Sequence, residues 1–299
     1  MDILVTGGTV FVSRAAAEWF SARGDRVFVL NRGSRPQPDG AVLIRADRRD
    51  LGGILKRYCF DVVLDMTAYS GEDVRLLLDA LGDFGQYVLL SSSAVYPETL
   101  PQPFRESQPV GLNCYWGDYG IGKIDAESEL LARIPTACII RPPYLCGCGN
   151  NLYREAFIFE CAEIGLPVFL PEGSDLRLQF CCISELCKLI EQVLMKQPSA
   201  HILNVGDEKM VSAEEWIRIC SDIAGRSCEI RYASETAPVR EYFPFRNYNY
   251  CLDVTSAMSI SPYSTPLEAS LKAGYAWWRM HREEVRRKPF IDYIAKHLC

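Results

Sequence analysis

The sequence predicts an α/β fold with a doubly wound, Rossmann-type parallel sheet, and two observations carry this prediction. The first is the N-terminal unit, where a buried strand over 2–5, a glycine turn, a helix over 14–23 and a second strand over 26–30 follow one another. The second is the repetition of short apolar runs and helical periodicity as far as residue 141. Because this alternation produces right-handed βαβ crossovers, it predicts a parallel sheet covered by helices.

The remaining elements of the first half follow from the same alternation. We predict further strands over 41–44, 61–66, 86–90 and 136–141. We predict helices over 51–58, 72–84 and 119–133. In the second of these helices the apolar residues recur on one face, as expected for a helix packed on a sheet.

The regular alternation of predicted strands and helices ends near residue 146, which predicts a domain boundary. We assign residues 1–145 and about 183–206 to the Rossmann-type domain, and about 146–182 and 207–299 to a smaller C-terminal α/β lobe for substrate. The clearest elements beyond the boundary are helices over 155–164, 184–195, 212–224 and 283–297, and strands over 168–170 and 201–205.

Composition argues against several classes of protein. Of the 299 residues 48% are hydrophobic and 23% are charged, which is typical of a globular protein. No apolar run is long enough to span a membrane and no signal-peptide pattern follows Met1, so we expect a cytoplasmic protein. The net charge is −6, and two glutamates interrupt the one basic cluster at 282–288, which argues against nucleic acid as a partner.

Cysteine and histidine spacing gives no metal site. The 13 cysteines are scattered, without the two spaced Cys-x-x-Cys pairs of a closed zinc site, and we predict reduced, mostly buried thiols. Only three histidines occur, so catalysis is not expected to depend on histidine.

The glycine turn after the first strand is the first candidate binding site. It leads into a helix whose first N–H groups and positive dipole end favour a phosphate, and therefore predicts a bound dinucleotide. The candidate contacts are Gly7, Thr9, Val10, Phe11 and Val12. A full pattern would have glycines at 7, 10 and 13, but Val10 and Ser13 stand at the last two, so we expect looser or re-angled binding. A Rossmann-like layer without a nucleotide is the alternative.

The ends of the next strands carry further candidate cofactor contacts. Asn31 and Arg32 follow the second strand, where an acid holds the ribose of NAD and an arginine accommodates the 2′-phosphate of NADP. Since no acid is present, the sequence favours NADP over NAD. Asp47 is placed either to contact the adenine or to cap the following helix. Ala68 and Tyr69 leave the fourth strand over the expected cofactor.

Ser92, Tyr119 and Lys123 are the candidate catalytic residues. Tyr119 and Lys123 share one face of a predicted helix because they are four residues apart. A nearby ammonium and a positive nicotinamide favour the phenolate of a tyrosine, whose reference pKa is about 10. Ser92, at the carboxyl end of a strand, is placed to hold a substrate oxygen while Tyr119 exchanges its proton. This arrangement predicts hydride transfer to or from a nicotinamide.

These motifs resemble those of the extended short-chain dehydrogenase/reductase superfamily, in its NAD-dependent epimerase/dehydratase group. The segments that carry the resemblance are the turn over 6–13, residues 91–96, Tyr119 with Lys123, and Arg141-Pro142. Those that resemble an atypical branch of the group are residues 7–12, 31–33 and 46–50. Phe243-Pro244-Phe245-Arg246 is similar to a motif of the plant chloroplast stem-loop-binding proteins, which belong to that branch.

The resemblance implies a seven-stranded sheet and a C-terminal lobe for a nucleotide sugar. It implies that Ser92 is the catalytic serine, Tyr119 the base and Lys123 the residue that binds the cofactor ribose. The residues implied for the substrate diphosphate are Asn151, Arg177 and Arg246, and Arg177 is offset by one position from the usual arginine.

Two further implications concern the reaction and the assembly. Ser93 and Ala94 stand where sugar dehydratases carry Asp and Glu, which argues against dehydration. The resemblance also implies a homodimer built from the helices over 72–84 and 119–133.

The sequence therefore predicts an NAD(P)-dependent epimerase or reductase that acts on a hydroxyl or keto carbon of a sugar, with a nucleotide sugar as the expected substrate. Epimerase and reductase are not separated by the residues. Two alternatives stay open, an RNA-binding or RNA-processing protein on the same fold and a nucleotide-sensing regulator without turnover.

Overall fold

The structure is a computed structural model that describes residues 1–299. The strands are β1 (Asp2–Thr6), β2 (Arg26–Asn31), β3 (Val42–Arg45), β4 (Phe60–Asp65), β5 (Phe84–Leu90), β6 (Cys138–Arg141), β7 (Tyr144–Cys146), β8 (Val168–Pro171), β9 (Arg177–Cys182), β10 (Ile202–Asn204), β11 (Met210–Ser212) and β12 (Ile230–Ala233). The helices are α1 (Phe11–Ala22), α2 (Gly71–Ala80), α3 (Asp118–Arg133), α4 (Glu155–Ile164), α5 (Ile183–Lys196), α6 (Ala213–Ile223), α7 (Val239–Tyr242), α8 (Thr255–Ile260), α9 (Leu267–Met280) and α10 (Phe290–His297). None of these helices is long and apolar enough to cross a membrane.

A seven-stranded parallel sheet organises the first of two compact units, which comprises residues 1–143, 184–206 and 252–263. The strand order is β10-β6-β5-β4-β1-β2-β3, and each neighbouring pair is parallel. The central strands are fully buried, as in β1, where Ile3, Leu4 and Val5 are 0% exposed. The predicted Rossmann-type fold is confirmed. Because all strands run the same way, their carboxyl ends meet at one edge of the sheet.

The second unit comprises residues 144–183, 207–251 and 264–299. It contains the three-stranded sheet β11-β9-β7 and the two-stranded sheet β12-β8. An aromatic core includes Trp216, whose ring lies 4.9 Å from that of Phe245 between centroids. At the start of α6, the Ser212 hydroxyl accepts a hydrogen bond from the Glu215 amide at 3.0 Å, as the capping pattern predicts.

Two segments group differently from the sequence assignment. Residues 252–263, assigned to the substrate lobe, belong to the first unit, because the Asp253 amide donates to the Phe104 carbonyl at 2.8 Å and Lys196 Nζ donates to the Ile260 carbonyl at 2.6 Å. Tyr144 and Leu145, assigned to the Rossmann-type domain, belong to the second unit because β7 pairs with β9.

Three predicted helices are wrong in extent or type. The helix predicted over 72–84 ends at Ala80, because Leu81 is extended and β5 begins at Phe84. Residues 51–58 form successive turns in place of a helix, with Gly52 in the left-handed region at φ 50°. The predicted helix over 283–297 is only α10, because Pro289 precedes the first residue of that helix. The long helix α9 and the short strands β7, β9, β11 and β12 were not predicted.

A buried ion pair fixes the strand ends around residues 91–96, the serine turn that follows β5. Arg141 donates to Glu127 through Nε at 2.9 Å and through Nη2 at 2.5 Å. Glu127 also accepts from the Ser91 hydroxyl at 2.5 Å, and Arg141 Nη1 donates to the Tyr96 hydroxyl at 2.8 Å. The Tyr96 hydroxyl donates in turn to Asn204 Oδ1 at 2.8 Å. This network thus joins α3 and β10 to both ends of the segment that contains Ser92.

Arg141→Met tests this network. It leaves the buried Glu127 carboxylate without its partner, so we expect the free energy of unfolding to fall by about 3–5 kcal/mol in urea denaturation. The control is Arg133→Met, which removes an ion pair to Asp79 whose side chains are 38% and 49% exposed. That exposed pair is expected to contribute at most about 1 kcal/mol. Equal losses in the two variants would contradict the structural role of the Arg141 pair.

Candidate active site

The glycine turn between β1 and α1 depends on two glycines. Gly7 has φ 85° and Gly8 has φ 78°, which other residues rarely adopt. A Cβ on Gly8 would collide with the Val29 side chain. The Gly7 amide donates to the Leu30 carbonyl at 2.9 Å, and Asn31 Nδ2 donates to the Gly7 carbonyl at 2.7 Å. The turn is therefore tied to the end of β2.

The first turn of α1 presents unbonded backbone donors. The amides of Phe11, Val12 and Ser13 donate to no group within the structure, and the helix has no side-chain cap. Val10 is extended at φ −139°, while Phe11 has φ 40°, so the left-handed conformation falls on Phe11. Ser13, at the third glycine position, is 7% exposed and donates to the Val10 carbonyl at 3.0 Å. Three free N–H groups at a helix N-terminus suit an anion such as a phosphate.

Two arginines lie at the loop after β2, Arg32 in the loop itself and Arg45 at the end of the neighbouring strand β3. Asn31 Oδ1 accepts from the Gly33 amide at 2.8 Å, which holds the loop in place. Arg32 is exposed and makes no ion pair. Arg45 ends the neighbouring strand in register with Asn31, and a Cβ on Gly33 would lie 3.4 Å from Arg45 Cδ and Nε. Arg45 was not predicted, because only the parallel pairing of β2 with β3 brings it to this loop.

Asp47 is exposed, and its Oδ1 accepts from the Arg49 amide at 2.9 Å. The interpretation of Asp47 as a helix cap is wrong, because no helix follows it. Its contact with an adenine stays a prediction.

A second charged cluster lies at the carboxyl ends of β1 and β4. It was not predicted from the sequence. Asp65 is fully buried and accepts from Arg48 Nη1 at 2.8 Å, from the Tyr87 hydroxyl at 2.8 Å and from the Thr6 hydroxyl at 2.9 Å. Burial opposes its charge, but the Arg48 guanidinium holds the pKa of Asp65 below its ordinary value. The Thr6 hydroxyl also accepts from the Met66 amide at 2.9 Å. The cluster therefore fixes the chain that leads to Ala68 and Tyr69.

Two glycines let α3 approach this edge closely. A Cβ on Gly120 would lie 2.6 Å from the Ala94 carbonyl oxygen, and one on Gly122 would collide with the Tyr69 carbonyl oxygen. Glycine inside a helix ordinarily costs about 1 kcal/mol relative to alanine. Here it allows the loops after β4 and β5 to lie directly on the first turns of the helix.

Lys123 is the most buried of the candidate catalytic residues, at 3% exposure. Its Nζ donates to the Ala68 carbonyl at 2.7 Å and to the Leu90 carbonyl at 2.8 Å, and so bridges the loop after β4 and the end of β5. Burial lowers the pKa of Lys123 to about 8, with nearby Asp65 acting against that shift. The ammonium and neutral forms are therefore both accessible near physiological pH.

Tyr119 and Ser92 lie on the two segments that Lys123 and Gly120 bring together. Tyr119 is 39% exposed, in the first turn of α3, and its ring centroid lies 6.3 Å from that of Tyr69. Ser92 is half-buried, and its Oγ accepts from the Ala94 amide at 3.1 Å. The structure thus gathers Ala68, Tyr69, Tyr119 and Lys123 on one side of α3, with the serine turn packed on Gly120.

The predicted substrate residues of the second unit have separate surroundings. Asn151 is 5% exposed, and its Nδ2 has no hydrogen-bond partner. Arg177 begins β9 and is exposed. Arg246 acts electrostatically on Tyr144 together with Arg154 and Arg240.

Arg154 and Arg240 were not predicted, and with Arg246 they form an arginine cluster whose charges act together on Tyr144. The Arg154 guanidinium carbon lies 5.0 Å from the centroid of the Tyr144 ring. Burial, followed by the charges of Arg246 and Arg154, lowers the pKa of Arg240. Arg240 Nη1 donates to the carbonyls of Phe243 and Pro244. Such a cluster is suited to an anionic ligand.

Comparison with known proteins identifies the family. The sequence signature of the NAD dependent epimerase/dehydratase family matches residues 3–206. The chain belongs to that family. The resemblance found in the motifs is therefore confirmed.

Two relatives and one solved structure show the breadth of this family. The chain is 25% identical over 286 residues to the chloroplast stem-loop binding protein of 41 kDa b of Arabidopsis thaliana, covering 86% of this chain and 73% of the relative. It is 23% identical over 333 residues to a dTDP-4-dehydro-6-deoxy-D-allose reductase of a Streptomyces species, covering 94% and 97%. It shares its fold with dTDP-glucose 4,6-dehydratase of Bacillus anthracis in complex with NAD, at a TM-score of 0.76 and 16% identity over 96% of this chain and 99% of that one.

Gly122→Ala tests the close approach of α3. We expect a loss of about 1–3 kcal/mol in the free energy of unfolding, because the new methyl group meets the Tyr69 carbonyl oxygen. Ser128→Ala is the control, an exposed position of the same helix where alanine is expected to be neutral or slightly stabilising. Denaturant unfolding of both variants is the measurement, and a Gly122→Ala protein more stable than wild type would show that the approach is not tight.

Proposed function

We propose that this chain is an NAD(P)-dependent epimerase or reductase that acts by hydride transfer at a hydroxyl or keto carbon of a nucleotide sugar. The observation that carries the proposal is Lys123, an almost fully buried amine one helical turn after Tyr119 that is held by the Ala68 and Leu90 carbonyls. A structural role alone gives little reason to bury an amine, since burial disfavours its charge. Membership of the family supports the same chemistry.

The cofactor site that we propose uses the carboxyl edge of the seven-stranded sheet. The unbonded amides of Phe11, Val12 and Ser13 fit a pyrophosphate, and Lys123 would hold the ribose next to the nicotinamide. When bound, the nicotinamide supplies the acceptor and donor of hydride. The solved dehydratase with the same fold is in complex with NAD, which supports a nicotinamide dinucleotide as the cofactor.

Proton transfer is assigned to Tyr119. Its hydroxyl would take the proton from a substrate hydroxyl in oxidation and return it in reduction, while Ser92 Oγ would hold the same substrate oxygen. The Lys123 ammonium favours the phenolate form of Tyr119 through its charge. An epimerase would use both directions of this exchange on one carbon, and a reductase would use one direction in each turnover.

The diphosphate of the substrate is assigned to the arginine cluster of the second unit, Arg154, Arg240 and Arg246. The three guanidinium groups provide the positive charge and the planar donors that a diphosphate needs. Asn151 and Arg177 are kept as candidate contacts. The dTDP-sugar reductase among the relatives supports a nucleotide sugar as the substrate class.

The proposed preference for NADP can be tested at Arg32 and Arg45. Because neither guanidinium is neutralised by an acid, we expect each alanine variant to lose about 10-fold or more in NADPH affinity, with NADH affinity little changed. The measurement is a titration followed by nicotinamide fluorescence. Arg26→Ala is the control, at the opposite end of β2, where Arg26 pairs with Asp2. Equal losses for NADPH and NADH would contradict the assignment.

Tyr119→Phe tests the proposed proton transfer. We expect turnover to fall by about 10²–10⁴-fold, since the phenyl ring has no proton to exchange, while NADPH affinity stays near that of wild type. Turnover is followed by NADPH oxidation or by product analysis over UDP- and dTDP-linked sugars with a 4-hydroxyl or 4-keto group. Tyr58→Phe is the control, in the aromatic cluster with Phe28 and Phe60 before the amino end of β4. Unchanged turnover in Tyr119→Phe would favour a regulator without turnover.

RNA binding is the second candidate, and the stem-loop binding relative favours it. The basic segment at 282–288 gives it little support, because Arg282 pairs with Glu163 at 2.7 Å and Arg287 with Glu160 at 2.8 Å. A steep loss of affinity for structured RNA with rising salt would support this candidate over the enzyme.

A further inference from the structure

The ring of Tyr69 covers the ammonium of Lys123. Nζ lies 4.9 Å from the ring centroid, within the range of a cation–π contact. Tyr69 is nevertheless 59% exposed, whereas Lys123 is 3% exposed. One face of the lysine head group is therefore closed by an aromatic ring that itself stands mostly in solvent.

The backbone around Tyr69 holds its ring in that position. The Tyr69 amide donates to Asp73 Oδ2 at 2.8 Å, and the Ser70 hydroxyl caps α2 by accepting from the Asp73 amide at 3.2 Å. The Tyr69 carbonyl lies against Gly122, where any larger residue would push it away. Tyr69 is thus fixed from both α2 and α3.

Few other groups stabilise the ammonium form of Lys123. Its two hydrogen bonds go to neutral carbonyls, and an ammonium has three donors. The charged groups that face it are the carboxylates Asp65, Glu127 and Asp73, which favour the ammonium, and the Arg48 guanidinium, which opposes it. Asp65 and Glu127 are already engaged by Arg48 and Arg141 respectively. Burial of the amine outweighs the attraction that remains.

We propose that Tyr69 is a positioning residue that holds Lys123 in its ammonium form through the π face of its ring. The importance of that charge for Tyr119 and for the cofactor rests on the proposed function. The contact itself is a property of the protein without any ligand. Replacing the ring by an aliphatic side chain should keep the cover over Lys123 but remove the attraction of the π system for the charge.

The experiment measures the titration of Lys123 in the unliganded protein. Protein labelled with ¹³C at lysine Cε is titrated by NMR, and the Lys123 resonance is assigned by its loss in Lys123→Met. In Tyr69→Leu we expect the pKa of Lys123 to fall by about 0.5 to 1.5 units from the wild-type value, because a cation–π contact favours only the charged form. In Tyr69→Phe, which keeps the ring, it should stay within about 0.2 units of wild type. Tyr69→Met replaces Tyr69→Leu if the latter does not fold.

Tyr232→Leu is the matched control, another exposed tyrosine, 53% exposed, on a strand of the second unit. It should leave the Lys123 titration unchanged. No shift in Tyr69→Leu would overturn the proposal, and so would an equal shift in Tyr69→Phe, which would assign the effect to the hydroxyl.

A second measurement separates this inference from the proposed function. NADPH affinity is followed against pH, and the loss of affinity on the alkaline side should move to lower pH in Tyr69→Leu by the same amount as the NMR titration. The direction follows because the ammonium is lost as the pH rises through the pKa of Lys123, and the variant lowers that pKa. A shifted NMR titration in a protein that does not bind NADPH would sustain the role of Tyr69 and contradict the cofactor site.

Discussion

The close packing of α3 against the ends of β4 and β5 is the constraint on which the candidate site depends. Gly120 and Gly122 remove the side chains that would keep the helix away from the Ala94 and Tyr69 carbonyls. Only at this distance does Lys123 reach the Ala68 and Leu90 carbonyls and bury its amine. The position of Tyr119, one turn earlier on the same helix, follows from that anchoring.

Two buried ion pairs hold the strand ends against which α3 packs. Arg48 with Asp65 fixes the chain after β4, and Arg141 with Glu127 fixes the chain after β5. Buried pairs of this kind contribute little net stability, but each is costly to break because the remaining charge has no partner. Their effect here is to define the geometry of two loops whose backbone carbonyls, and not their side chains, contact Lys123.

The sequence predicted the parallel sheet and the shared helix face of Tyr119 and Lys123 because both depend on local patterns. Strands alternating with helices specify parallel crossovers, and Tyr119 and Lys123 share a helix face by spacing alone. Contacts that depend on the order of the strands in the sheet could not be predicted from the sequence. Arg45 approaches the Asn31 loop only because β3 pairs beside β2. Arg48, which follows β3, contacts Asp65 at the end of β4 only across the ends of β2 and β1. The short strands of the second unit lack periodicity, and helix 51–58 was predicted from apolar residues where Gly52 imposes turns.

Hydrogen–deuterium exchange with and without saturating NADPH tests the central claim most directly, namely that a dinucleotide binds at the carboxyl edge of the seven-stranded sheet. The amides of Phe11, Val12 and Ser13 form no hydrogen bond within the protein and should exchange rapidly in its absence. The account predicts that NADPH slows exchange in the peptide that contains these residues and in the peptide that contains Ala68 and Tyr69. Unchanged exchange in both peptides at saturating NADPH would contradict it.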